Sequence, residues 1–301
     1  MLPNNNKTII NKLAKNSVKT NKKQYAILFF TIILSSFMLF CVFTIGMTYL
    51  DSSRLQNTRL NGAEYDIAAM NGFTSEQLNT LRQNEHIRSV GIESYAGFIQ
   101  STEYDETVEV GLLWCDEVFW DNLMSPARTK LDGHYPQNKN ELMVTKDILK
   151  TCGNENLSVG DSLILTYANN TGVYTDEFII SGIWDGYGDT SAGFVSKAFF
   201  DETGYDLKND GILCIKLNRN YVFPATIQSI EKSLDFSDRQ IFAPTSYIEN
   251  SFKLLLGICG LALVICLSAY LLIYNILYLS VSGKIRYYGL LQSLGMTKKQ
   301  L

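Results

Sequence analysis

The 301 residues carry 26 Lys and Arg against 30 Asp and Glu, a net charge of −4, with a mean hydropathy of +0.01. These averages decide nothing, but the placement of the charges excludes a wholly soluble chain: residues 25–50 and 254–283 hold none, and about 20 apolar residues span a bilayer. The only histidines are His86 and His134, neither near a second His or a Cys pair at ligand spacing, so no transition-metal site is readable.

In chain order, residues 1–24 form a basic cytoplasmic segment with six lysines and no acid. Ile9, Ile10, Leu13, Ala14 and Val18 recur at helical spacing against Lys7, Lys12, Lys15, Lys19 and Lys22, which predicts an amphipathic helix lying on lipid. The asparagines among them also fit a disordered lysine-rich tail. Residues 25–50 are read as transmembrane helix 1. The run is too long for the apolar region of a cleaved leader, and Met47-Thr48-Tyr49-Leu50 lacks an A-x-A-like site.

All 30 acids lie between Asp51 and Glu249, where 15 Lys and Arg leave a net of −15. Lys284, Arg286, Lys298 and Lys299 follow the second apolar run without an acid. Basic flanks on both sides place both termini in the cytoplasm and the acidic middle, 51–251, outside.

Within that middle the patterns predict a strand over 64–70, a helix over 74–84 opened by Thr74-Ser75-Glu76, and strands over 87–100 and 107–114. A similar unit returns as a strand over 211–217, a helix over 224–234 and a short strand over 239–242, so two split halves could build one sheet. Strands over 141–145, 162–167, 177–183 and 193–196, with turns at Asn169-Asn170 and Asp185-Gly186-Tyr187-Gly188, predict a second, strand-rich lobe about 115–205. The expected fold class is therefore α+β, with two transmembrane α-helices flanking a mixed α+β extracellular domain of two lobes. Residues 252–283 are transmembrane helix 2, where Gly257 and Gly260, near Ala262 and Ser268, offer close approach to another helix. No Asp, Glu, Lys, Arg or His interrupts either charge-free run, which removes the usual marker of an ion path.

Several chemistries are absent. Gly289 to Gly295 is no phosphate-binding loop, lacking the spacing and the following Lys. The carboxylates at Glu103, Asp105, Glu106 and Glu109 read as a solvated face rather than an acid–base pair. Gly186, Gly188 and Gly193 read as a turn. Cys115, Cys152 and Cys214 are an odd external number without regular spacing, read as apolar core residues with one external pair left open.

After the second span the chain reads Lys284-Ile-Arg286-Tyr-Tyr-Gly289-Leu290-Leu291-Gln-Ser-Leu294-Gly295-Met296-Thr-Lys298-Lys299. This resembles the coupling segment of the FtsX/MacB-like ABC transporter permeases, with Tyr287 standing where that family usually has Glu. The external segment resembles the family's MacB-like periplasmic core domain in Gly133-His-Tyr-Pro136, Glu141-Leu-Met-Val144, Leu157-Ser-Val-Gly160-Asp161 and Phe178-Ile-Ile-Ser-Gly182-Ile183.

The resemblance implies a permease subunit of a bacterial cell membrane that transmits ATPase-driven motion to an extracytoplasmic domain, for export, peptide resistance or mechanotransmission. Residues 284–301 would be the cytoplasmic coupling helix, with Arg286, Gly289, Leu290, Leu291, Leu294, Gly295 and Met296 at the ATPase. It implies no enzymatic activity and no cofactor in this chain. The partners are an ABC ATPase subunit, a second permease half or a second copy, lipid, and an extracellular substrate or partner, with no nucleic acid. Members of the family have four or ten spans, so the resemblance also implies a fragment or a half that pairs. The rival layouts are a two-pass extracellular ligand sensor, which should continue into a long heptad-patterned helix, and a regulator of a cell-wall hydrolase.

Overall fold

The computed structural model describes residues 7–100, 110–187 and 192–293. The chain divides into two compact units, one from Met1–Tyr49 with Leu255–Leu301 and the other from Leu50–Leu254.

In the first unit, α1 (Lys7–Thr20) is followed by α2 (Lys22–Asn61). Helices α2 and α7 (Ser246–Ser282) are both long and apolar enough to cross a membrane. Phe30, Phe37, Phe40, Leu263 and Leu271 stand exposed along them, a surface that water penalises and hydrocarbon does not. Along α2 the less exposed positions include Leu28, Thr31, Ser35, Leu39, Val42 and Gly46, and along α7 the buried Ile258 and Ala262 with the half-buried Ile265, Ala269, Ile273 and Ile276. Steps of three and four are the spacing of a coiled-coil seam. Gly46 makes the approach close: a Cβ there would lie 2.6 Å from Ile258 Cδ1.

Both helices outrun the charge-free stretches, α2 reaching Asn61 and α7 starting at Ser246. Residues 51–61 are mostly polar, and Leu50 and Thr58 are buried at this end of the helix.

The second unit begins with β1 (Ile67–Met70), α3 (Ser75–Gln83) and β2 (Ile87–Ile99). A reciprocal cap starts α3: the Gln77 amide donates to Thr74 Oγ1 at 3.1 Å and the Thr74 amide to Gln77 Oε1 at 2.9 Å. The counterpart is β9 (Ile212–Leu217), α6 (Pro224–Lys232) and β10 (Ile241–Pro244). Strand β1 pairs antiparallel with β10 and β9, and β9 with β2, giving the order β10-β1-β9-β2. This is the ferredoxin-like interleaving of two split βαβ units, and the two halves do build one sheet.

Inserted between β2 and β9 are β3 (Val110–Cys115), β4 (Arg128–Gly133), β5 (Glu141–Thr145), α4 (Lys146–Thr151), β6 (Ser162–Asn169), β7 (Gly172–Gly186), β8 (Ala192–Val195) and α5 (Lys197–Phe200). They continue the same sheet as β2-β3-β8-β5-β7-β4, and β6 bridges β2 and β7. The strands of the segment expected as a second lobe, about 115–205, thus belong to the hydrogen-bonded sheet of the first half, and one compact unit results. One core cluster joins Ile67, Ile92 and Leu213 from one part to Leu142, Phe178 and Ile180 from the other. The expected turn at Asn169 closes the β6–β7 hairpin, where Asn169 Oδ1 accepts from the amides of Thr171 at 2.9 Å and Gly172 at 3.1 Å. Cys115, Cys152 and Cys214 are free thiols, so the external pair left open is not formed.

Candidate functional site

Directly after α7 comes α8 (Ile285–Ser293), which carries Arg286, Gly289, Leu290 and Leu291 on one short helix. Ile285 is 65% and Leu290 64% exposed, and nothing would lie within 4 Å of a Cβ at Gly289. An apolar helix surface with a glycine notch is thereby left for another surface to cover. Leu294, Gly295 and Met296 lie outside the described residues.

Gly257 and Gly260 lie off the α2–α7 seam, with nothing within 4 Å of a Cβ at either. The close approach within this chain uses Gly46, which reading the sequence for glycine pairs passed over. Its signal was the three-and-four spacing with Leu39 and Val42.

In the second unit, sequence reasoning also missed a buried ionic node where α2, β1, β9 and the start of α7 converge. Asp66 is 1% exposed and the Lys216 side chain 5%. Lys216 Nζ stands 3.3 Å from Asp66 and 3.2 Å from Glu64 Oε1, and Arg54 Nη1 of α2 reaches the same Glu64 oxygen at 3.3 Å. The Leu217 amide donates to Asp66 Oδ2 at 2.8 Å, and the Thr245 amide, one residue before α7, to the Asp66 carbonyl at 2.8 Å. Within α7, Tyr247 donates to the Asn220 carbonyl at 2.7 Å, and burial followed by the nearby Asp66 pushes its phenol up to about 12. Burial also raises the Asp66 carboxyl, outweighing the pull of Lys216. These contacts tie the Arg54 segment of α2 and the first turn of α7 to the residues around β1 and β9.

Beside the node, residues 118–123 form a π-helix, a rare element often found at functional positions. Asp116 Oδ1 accepts from the amides of Ile92 at 2.9 Å and Phe119 at 2.8 Å, which holds its first turn. Glycine at 91 is required beneath it, because a Cβ there would lie 2.9 Å from the Phe119 Cα.

Nearby, Cys214 Sγ donates to Glu93 Oε1 at 3.5 Å, and burial lifts the Glu93 carboxyl to about 7. Cys115 lies on the cross-strand partner position of Glu93, and its amide donates to the Tyr135 hydroxyl at 3.0 Å. Both thiols are pushed up by burial, the opposite of what a nucleophile needs. Among the described residues no group of three or more His, Cys, Asp or Glu could hold a metal.

No protein-family model matches the chain, and no curated relative does. Among solved structures it is similar to the periplasmic region of MacB from Actinobacillus actinomycetemcomitans, at 12% identity and a TM-score of 0.42 over 64% of this chain and 95% of that one. It is also similar to the extracellular domain of the noncanonic ABC-type transporter YknZ from Gram-positive bacteria, at 11% identity and a TM-score of 0.38 over 60% and 99%. A third likeness is to a permease-protein domain from Porphyromonas gingivalis, at 10% identity and a TM-score of 0.37 over 60% and 88%.

Proposed function

We propose that the chain is a transmembrane permease subunit of an ABC transporter, which carries motion from a separate ATPase to an extracytoplasmic domain. The observation that carries this reading is the segment Arg286-Tyr-Tyr-Gly289-Leu290-Leu291 borne on α8, a short helix immediately after a span and with its Leu290 uncovered. The ATPase would close on α8 from the cytoplasm, with Leu294, Gly295 and Met296 extending the same surface. ATP hydrolysis belongs to that partner, and this chain supplies neither catalytic group nor cofactor.

The paired spans α2 and α7 are uninterrupted by proline, as a rigid transmitting element requires. Arg54 of α2 reaches Glu64, and Thr245, just before α7, reaches the Asp66 carbonyl, so a shift in either segment would bear on β1 and β9. A second permease half or a second copy would complete the membrane part, with Gly257 and Gly260 available to a neighbouring helix. Both termini are cytoplasmic in this reading, and the work done outside is export, peptide resistance or mechanical transmission.

The test is detergent copurification of an ATP-binding-cassette protein with the tagged chain, comparing the parent with Gly289→Arg and Leu290→Asp. Recovery with the parent and loss by about tenfold or more with both variants is expected. If no such protein is recovered with the parent, the permease reading falls and the two-pass sensor takes its place.

A further inference from the structure

A cleft of about 420 Å³ opens beside the ionic node. Its size is that of a small-molecule site. One wall is the π-helix, which brings Asp121 and Asn122, and another is β2, which brings Arg88 and Ser89. Its base holds Glu64 and Lys216. Wall and base are fastened to each other, because the Glu64 amide donates to the Leu123 carbonyl at 2.6 Å.

Unspent polar capacity converges on this cleft. Glu64 uses one carboxylate oxygen, Oε1, for both Arg54 and Lys216. Its other oxygen accepts no hydrogen bond among the described residues. The Lys216 ammonium is enclosed, with a side chain 5% exposed, and is already held by Glu64 and Asp66, so the cation open to a solute is Arg88. At the rim Arg88 and Asp121 are exposed, and among the described residues neither forms an ion pair. The lining thus carries two cations and two carboxylates, and the Asp66 and Arg54 behind it add one charge of each sign.

We propose that this cleft binds a small zwitterion carrying an ammonium and a carboxylate, of the amino-acid or short-peptide class. The carboxylate meets Arg88, and the ammonium meets Asp121 and the second oxygen of Glu64. A purely anionic or purely cationic solute leaves one sign of charge unanswered, so the arrangement selects for both charges on one molecule. Because Glu64 and Lys216 also hold Arg54 of α2, an occupant would rest on the junction between the first long helix and the sheet. Binding itself does not depend on the permease reading.

The experiment is isothermal titration of the full chain in detergent with dialanine, using acetate and methylammonium as single-charge probes. Dialanine binding is expected, weakened about tenfold by Arg88→Gln and by Asp121→Asn, with each single-charge probe about tenfold weaker than dialanine. Both substitutions are at exposed positions, so circular dichroism should confirm unchanged folding. Lack of dialanine binding at about 10 mM, equal binding of a single-charge probe, or unchanged binding by both variants would each overturn the proposal. None of these results bears on whether an ATPase is recovered with the chain.

Discussion

Lys216 occupies the fifth position of a strand whose other residues, Ile212, Leu213, Cys214, Ile215 and Leu217, are apolar. An ammonium in that setting is tolerable only with carboxylates against it, since an unpaired buried charge costs about 3–5 kcal/mol. Asp66 and Glu64 supply them. The sequence does show each charge interrupting an apolar run, but strands about 150 positions apart must pair before the two can be matched.

Among the described residues Glu93 has no ion-pair partner, and its side chain bonds only the Cys214 thiol. Held at about 7, its carboxyl binds a proton more readily in the folded chain than in the unfolded one. The resulting stability is complete below about pH 4.5 and is lost as pH rises through 7. Asp66 and Asp116, also raised by burial, act in the same sense. The unfolding midpoint of the full chain in detergent, followed by tryptophan fluorescence, should therefore fall between about pH 5 and pH 8. Glu93→Gln should flatten that slope and raise the midpoint at the higher pH. Equal slopes in parent and variant would contradict this assignment.

At the scale of elements, what was legible followed periodicity. Strand β5 appears over Glu141–Thr145 as the pattern predicts, and α3 starts at the expected cap. Strand β4 was missed because five of its six residues are exposed, so an edge strand presents no alternation to read. The π-helix was missed because six residues carry no period, and only Gly91 beneath it records the close packing. Helices α4 and α5 are too short for a pattern, although Thr145 and Ser196 cap them.

The membrane pair teaches the same lesson differently. Gly257 and Gly260, read as a surface for another helix, lie off the seam within this chain, which is set by the burial period of both helices and Gly46. Gly46→Leu should overpack that seam by about 1–3 kcal/mol and lower the melting temperature in detergent. Ile258→Ala in the same chain should recover part of the loss, because the Ile258 side chain is what the new side chain would strike. A Gly46→Leu chain as stable as the parent would show that the seam is not closely packed.

For the molecule as a whole, the distribution of charge expressed most of the organisation before any element was read. Two apolar helices flank a sheet-rich unit, and the acidic residues are confined to the chain between the two charge-free runs. What the charges could not convey is that one sheet runs through the entire sheet-rich unit, because that depends on β2 being long enough to pair with β9, β3 and β6. The proposed orientation has a direct consequence in a cysteine-free background. Ile164→Cys, at a position 67% exposed on β6, should react with a membrane-impermeant maleimide in intact cells, and Arg286→Cys should react only after the membrane is opened. The reverse pattern would place the acidic unit inside.

The central claim is that α8 is the surface an ATPase drives, and crosslinking in cells from a photoreactive residue at position 290 tests it most directly. An ATP-binding-cassette protein captured from position 290 and not from position 164 is the result this account expects. Capture of lipid alone from position 290, or of the same partner from both positions, would contradict it.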